Sequence, residues 1–111
     1  MKIKTAELTG AALAWAVAKC EGFAPFTDGI SWIIDKAGTW VQLPKYSTDW
    51  AQGGPIIERE KIAVQFGPQW TAVHHKHLGR FHYGPTPLVA AMRTYVASKL
   101  GDEVEVPNAL S

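Results

Sequence analysis

Gly84-Pro85-Thr86-Pro87-Leu88-Val89-Ala90-Ala91-Met92-Arg93-Thr94-Tyr95-Val96-Ala97-Ser98-Lys99-Leu100-Gly101-Asp102 is the stretch that decides the fold. Thr86 has a side-chain oxygen able to cap a helix, and Pro87 is suited to a first turn, where its missing N–H costs nothing. Leu88, Met92, Val96 and Leu100 then recur on one helical face, joined by Tyr95. Lys99 suits the negative end of the helix dipole, and Gly101 is the expected stop. The spacing predicts a helix over Pro87 to Leu100. Beyond it, Glu103 to Val106 can form an edge strand closed by Pro107.

Working outward, Ile62 to Phe66 and Trp70 to His74 read as a hairpin with Gly67-Pro68-Gln69 as its turn. His75 to Tyr83 is polar, aromatic and basic, and reads as a loop. Lys2 to Thr5 alternates as a short strand, and a second helix follows over Thr9 to Glu21, with Leu13, Val17 and Cys20 on its buried stripe. Its many alanines suit close packing against a sheet. Ile30 to Ile34 and Thr39 to Leu43 read as strands about an Asp35-Lys36-Ala37-Gly38 turn. Residues 44–55 read as an ordered loop anchored by Tyr46 and Trp50, with a brief helical turn after Pro55. The expected fold is therefore α+β: a small, mainly antiparallel sheet packed by two helices, in one domain over residues 1–111.

The 111-residue chain is long enough to fold without a disulfide or metal. Eleven basic residues against ten acidic ones give a formal net charge of +1, which argues against nucleic acid as a partner. One cysteine, Cys20, excludes an internal disulfide and fits a reducing compartment. The N-terminus has no apolar stretch of signal-peptide length, so a cytoplasmic protein with no membrane partner is expected. Five tryptophans are many for this length. Each indole N–H wants a partner when buried, so some rings are expected in the core and one or two at a site where a planar ligand stacks.

Three segments carry a resemblance: Met1 to Gly22, Ser47-Thr48-Asp49-Trp50-Ala51-Gln52-Gly53-Gly54-Pro55-Ile56-Ile57-Glu58-Arg59-Glu60, and the Gly84 to Asp102 stretch. Together they resemble the NinX-type family of phage and prophage proteins, a family without a described mechanism. Phe23 to Tyr46 and Val73 to Tyr83 look like stretches where relatives differ. The resemblance implies a phage accessory protein in the cytoplasm of a bacterial host. By analogy of class, small phage proteins capture nucleotide signals of bacterial immunity, such as cyclic ADP-ribose isomers.

The candidate ligand residues are Asp49, Trp50, Gln52, Gly53, Gly54, Tyr83, Thr86 and Arg93. Gly53-Gly54 permits close backbone approach or a positive φ, and a helix beginning at Pro55 would turn its free N–H groups toward an anion. Trp50 can stack on a base, while Asp49 and Gln52 can bond ribose hydroxyls or a base edge. The competing reading is a tight turn with Asp49 as cap and Trp50 in the core. Thr86 begins a second helix N-terminus, although cap plus proline already explains it. Arg93 borders the apolar face and is expected either to pair a carboxylate such as Asp49 or Glu58, or to grip a phosphate.

His74, His75, His77 and His82 lack the cysteine or carboxylate support of a zinc site. Cys20 on a buried stripe is expected to be inert, and no serine sits in a nucleophile elbow. Glu58 and Glu60, flanked by Arg59 and Lys61, read as surface charge. No enzyme, cofactor or metal is expected. The expected function is non-catalytic capture of a small nucleotide-type ligand, with a protein-binding adaptor and a minor DNA-metabolism factor as alternatives. Short strands and many aromatics also favour a homo-oligomer.

Overall fold

The computed structural model describes residues 1–110. The chain runs β1 (Lys2–Lys4), α1 (Gly10–Cys20), β2 (Phe26–Thr27), β3 (Trp32–Lys36), β4 (Thr39–Gln42), α2 (Trp50–Glu60), β5 (Ile62–Phe66), β6 (Trp70–His74), β7 (Phe81–Gly84), α3 (Pro87–Leu100) and β8 (Glu103–Glu105). The α+β class stands, but three helices replace the two expected, and three small antiparallel sheets replace one: β1–β8, β2–β3–β4 and β5–β6–β7.

The helix α3 begins and ends where the sequence places it. The Thr86 hydroxyl accepts from the Val89 N–H at 3.1 Å, and Gly101 closes the helix with a φ of +87°. Its burial is wider than one stripe. Val89, Ala90, Ala91 and Thr94 are buried along with Leu88, Met92, Tyr95 and Val96, whereas Leu100 is exposed. The strands β5, β6 and β7 pack against α3, as do α1 and α2. The alanine-rich α1 lies against α3 rather than against a sheet.

The β5–β6 hairpin has the expected bounds, in register from Ile62↔His74 to Phe66↔Trp70. The segment read as a loop after it holds a third strand, since Phe81–Gly84 pairs with β6. The termini are joined by β1–β8 and by Thr5, whose N–H donates to Asp102 O at 2.8 Å and whose hydroxyl donates to Gly101 O at 2.6 Å.

The largest departure is α2. Two glycines and a proline hide an eleven-residue helix that starts at Trp50, with Pro55 inside it. Asp49 caps it, accepting from the Ala51 N–H at 2.9 Å. Tertiary packing outweighs the poor propensity of Gly and Pro here. A Cβ on Gly53 would lie 2.3 Å from the Tyr46 carbonyl oxygen and 2.6 Å from Leu88 Cδ1, so only glycine lets α2 seat against the start of α3. Tyr46 is a buried anchor, as expected, but Trp50 is 55% exposed.

The β3–β4 hairpin turns through Ala37 and Gly38, with φ of +53° and +86° and the Asp35 carboxylate accepting from the Gly38 N–H at 2.8 Å. Alanine at positive φ is strained, and such two-residue turns favour Asn. Ala37→Asn is expected to raise stability by about 0.5–1 kcal/mol, read as a higher urea midpoint with an unchanged slope.

Candidate functional site

Two assemblies of polar side chains stand out, and they have different chemical capacities. The first is a cleft where the β5–β6 turn and the end of β7 meet α3. A Cβ on Gly84 would lie 2.6 Å from the Ala90 nitrogen, so its absence lets β7 run close to α3. That approach brings the Tyr83 carbonyl onto Arg93. The guanidinium donates from Nη1 to Tyr83 O at 2.8 Å and from Nε to Leu8 O at 2.8 Å. The expected carboxylate partners, Asp49 and Glu58, are not used: two main-chain carbonyls take their place. Among the described residues Arg93 makes no ion pair. Burial pulls its pKa below the ordinary arginine value, but a guanidinium stays charged at any working pH. Of its five N–H groups, three make no hydrogen bond among the described residues.

The cavity beside Arg93 has a volume of about 450 Å³ and is walled by Phe66, Trp70 and Tyr83 along with Pro68, Gln69 and Pro85. Direct pairing of Phe66 with Trp70 puts both rings on one face of the hairpin, with centroids 5.1 Å apart in an edge contact. Phe66 and Tyr83 are 66% and 50% exposed. No acidic residue lines the cavity. The arrangement is an open aromatic cleft with an unneutralised cation, suited to a flat anion.

Of the eight candidate residues, the structure brings only Tyr83 and Arg93 to this cleft. Thr86 caps α3 with its side chain, and Asp49 caps α2. Gly53 is buried against Tyr46 and Leu88, and Gly54 lies over the Trp50 ring. Trp50 and Gln52 are exposed on α2 and do not line the cleft. The anion cradle expected at Pro55 is absent, because the helix starts five residues earlier. Phe66 and Trp70 were legible only as hairpin ends. The signal that marks them is two large aromatics directly flanking a short turn, a position with little core to fill.

The second assembly joins the ends of α1 and α2 to β6 and α3. Arg59 donates to both Glu21 carboxylate oxygens, at 3.1 and 2.6 Å, and from Nε to Glu60 at 3.1 Å. Tyr95 donates its hydroxyl proton to Glu21 at 2.5 Å, and Arg59 lies 5.7 Å from the Tyr95 ring centroid. His74 Nε2 lies 3.1 Å from Glu60 Oε1, and the Lys76 N–H donates to His74 Nδ1 at 3.1 Å. Because Nδ1 accepts, the ring proton sits on Nε2 and goes to Glu60.

Both imidazole nitrogens are thus occupied within the chain, leaving no lone pair for a substrate proton. For both glutamates burial pushes the pKa up, and the bonding outweighs it. Arg59 and Tyr95 hold Glu21 below the usual carboxylate value, while His74 and Arg59 do the same for Glu60. The sequence reading of Arg59 and Glu60 as surface charge is corrected: they form a clamp between elements. Next to it, burial raises the Cys20 thiol to about 12, which keeps it protonated and unreactive.

Among the described residues no group of three or more His, Cys, Asp and Glu is placed to hold a metal ion, and no helix is long and apolar enough to cross a membrane.

Fold and site together define a small α+β protein built around a central helix, with an arginine-floored aromatic cleft at one end. Residues 4–99 match the family model described as bacteriophage P22, NinX, and the chain belongs to that family. Those bounds take in α1, the clamp and the cleft. No curated protein matches the chain.

Proposed function

We propose that this phage protein is a non-catalytic binder of a small nucleotide-type anion, held in the Arg93 cleft. One observation carries the reading: a partly buried arginine, fixed by two main-chain carbonyls and paired with no carboxylate, borders a cavity walled by three aromatic rings. The free edge of the guanidinium suits a phosphate, and the rings suit a base, where stacking contributes about 1–3 kcal/mol per base. The cavity volume of about 450 Å³ falls in the range of small-molecule sites. In a phage protein, binding without turnover removes a host nucleotide signal by mass action. ADP-ribose derivatives such as its cyclic isomers therefore fit the role of counteracting host defence. The adaptor reading draws on a different feature, the exposed Ile30 and Trp40 of the β2–β4 region.

Thermal melting against ADP-ribose, its cyclic isomers, cyclic dinucleotides and NAD separates the two readings. A ligand at 100 times its dissociation constant adds about 2.7 kcal/mol and raises Tm. Tyr83→Ala and Phe66→Ala remove exposed rings and leave the fold intact, and Arg93→Ala removes the cation. All three are expected to abolish the shift. Flat melts across the panel, or a shift that survives all three variants, would refute binding of these ligands in this cleft.

A further inference from the structure

We propose that the protein has a second ligand site, between α1 and the β3–β4 hairpin, that takes a small planar organic anion. The site does not rest on the Arg93 cleft. A cavity of about 500 Å³ opens there, with no acidic residue in its wall. Its polar lining is unsatisfied. Ser47 is only 5% exposed, yet its hydroxyl has no hydrogen-bond partner among the described residues and its side chain borders the cavity. That hydroxyl is open to the cavity, where it is placed to donate to or accept from a ligand. Gln42 and Lys45 line the same space, and neither side chain makes a hydrogen bond or ion pair within the described chain.

Local folding explains why these groups converge. The Leu43 N–H donates to Trp32 O at 2.9 Å, which carries the hairpin pairing one residue past β4 and sets Trp32 against the cavity. The Thr48 and Asp49 N–H groups then both donate to Lys45 O, at 3.2 and 2.9 Å, curling the chain so that Lys45, Ser47 and Thr48 face back toward α1. The start of α1 supplies the rest. Thr9 makes no side-chain cap, so the first N–H groups of the helix are left without a side-chain acceptor at the cavity's edge, where Gly10 and Ala11 lie. Helix dipole and Lys45 both favour negative charge there.

The opposite character comes from Trp32, Ala11 and Ala14, which offer an apolar surface to a flat ring. A positive end, an aromatic wall and a central hydroxyl and amide together select a ring system bearing one carboxylate or phosphate. A nucleoside monophosphate and an indole carboxylate share that chemistry.

The test is a titration of the full chain with adenosine 5′-monophosphate and, separately, indole-3-acetate. The readout is the five tryptophan indole N–H signals in a nitrogen–proton correlation spectrum, assigned by single Trp→Phe variants. The expected result is a saturable shift of the Trp32 signal with at least one probe; which probe moves it identifies the head group. Lys45→Ala, at an exposed position, is expected to weaken that binding at least tenfold. A Trp32 signal that stays still with both probes would overturn the proposal. So would one that saturates at the same midpoint in Lys45→Ala, or a response confined to Trp70, which would place the ligand in the Arg93 cleft instead.

Discussion

Gly53→Ala is expected to lower stability by about 2–3 kcal/mol, a cost typical of forced overpacking, even though alanine is the better helix former. The new methyl would sit 2.3 Å from the Tyr46 carbonyl oxygen and 2.6 Å from Leu88 Cδ1. Leu88 is buried in the core cluster and the carbonyl is main chain, so neither can step aside cheaply. Its neighbour supplies the control. A Cβ on Gly54 meets nothing nearer than the Trp50 ring at 3.8 Å, an ordinary contact. Gly54→Ala is therefore expected to stabilise by about 0.5–1 kcal/mol through helix propensity alone. Urea unfolding of both variants reads opposite signs one residue apart. Equal signs would mean that α2 does not seat on α3 through Gly53.

That pair also shows what the sequence could and could not convey. The caps of α3 are local: Thr86, Pro87 and Gly101 act within a few residues, so its bounds were legible to the residue. The β5–β6 register was legible for the same reason. The helix α2 was not, because the term that outweighs Gly53, Gly54 and Pro55 is contact with Tyr46 and Leu88, which no local pattern encodes. Arg93 shows the intermediate case. Its position on the border of an apolar face marked it as a residue needing partners, but those partners are the carbonyls of Leu8 and Tyr83. Main-chain oxygens carry no residue identity, so a reading based on side chains searches among the carboxylates and goes astray. The site was therefore half visible: Tyr83 and Arg93 meet, while Phe66 and Trp70 join them only through hairpin geometry. The clamp was invisible, since Glu21, Arg59, Glu60, His74 and Tyr95 come from three elements and the flank of α1, and each charged member alone resembles a solvated residue. Only Tyr95 signalled it, as a phenol on a buried face whose hydroxyl needs a partner.

Tyr95→Phe tests that clamp most directly, because it keeps the buried ring and removes one oxygen. Tyr95 is 1% exposed, and its hydroxyl donates to Glu21 at 2.5 Å while accepting from Arg59 at 3.1 Å. Burial and the adjacent Glu21 carboxylate raise the phenol pKa, so it remains a donor at every working pH. Losing a hydrogen bond to a charged acceptor costs about 1.5–3 kcal/mol.

The pH dependence of that loss separates it from simple packing. Glu21 titrates in the fold below its ordinary value of 4.5, Arg59 and Tyr95 outweighing the effect of burial. A carboxyl lowered in this way adds stability that is fully present above its unfolded pKa, and that stability is lost as pH falls through the folded pKa. Tyr95→Phe takes away one of the two lowering bonds, so the folded pKa rises and the variant has less of this stability to lose in acid. The gap between wild type and variant is therefore expected to be widest near pH 7 and to narrow as pH falls through the lowered folded pKa, where Glu21 protonates and the bond loses its charge assistance. Urea midpoints of the two proteins at intervals between pH 7 and pH 3 measure it. A gap that stays constant over that range would assign the hydroxyl an uncharged acceptor, the Cys20 carbonyl at 3.3 Å, in place of Glu21.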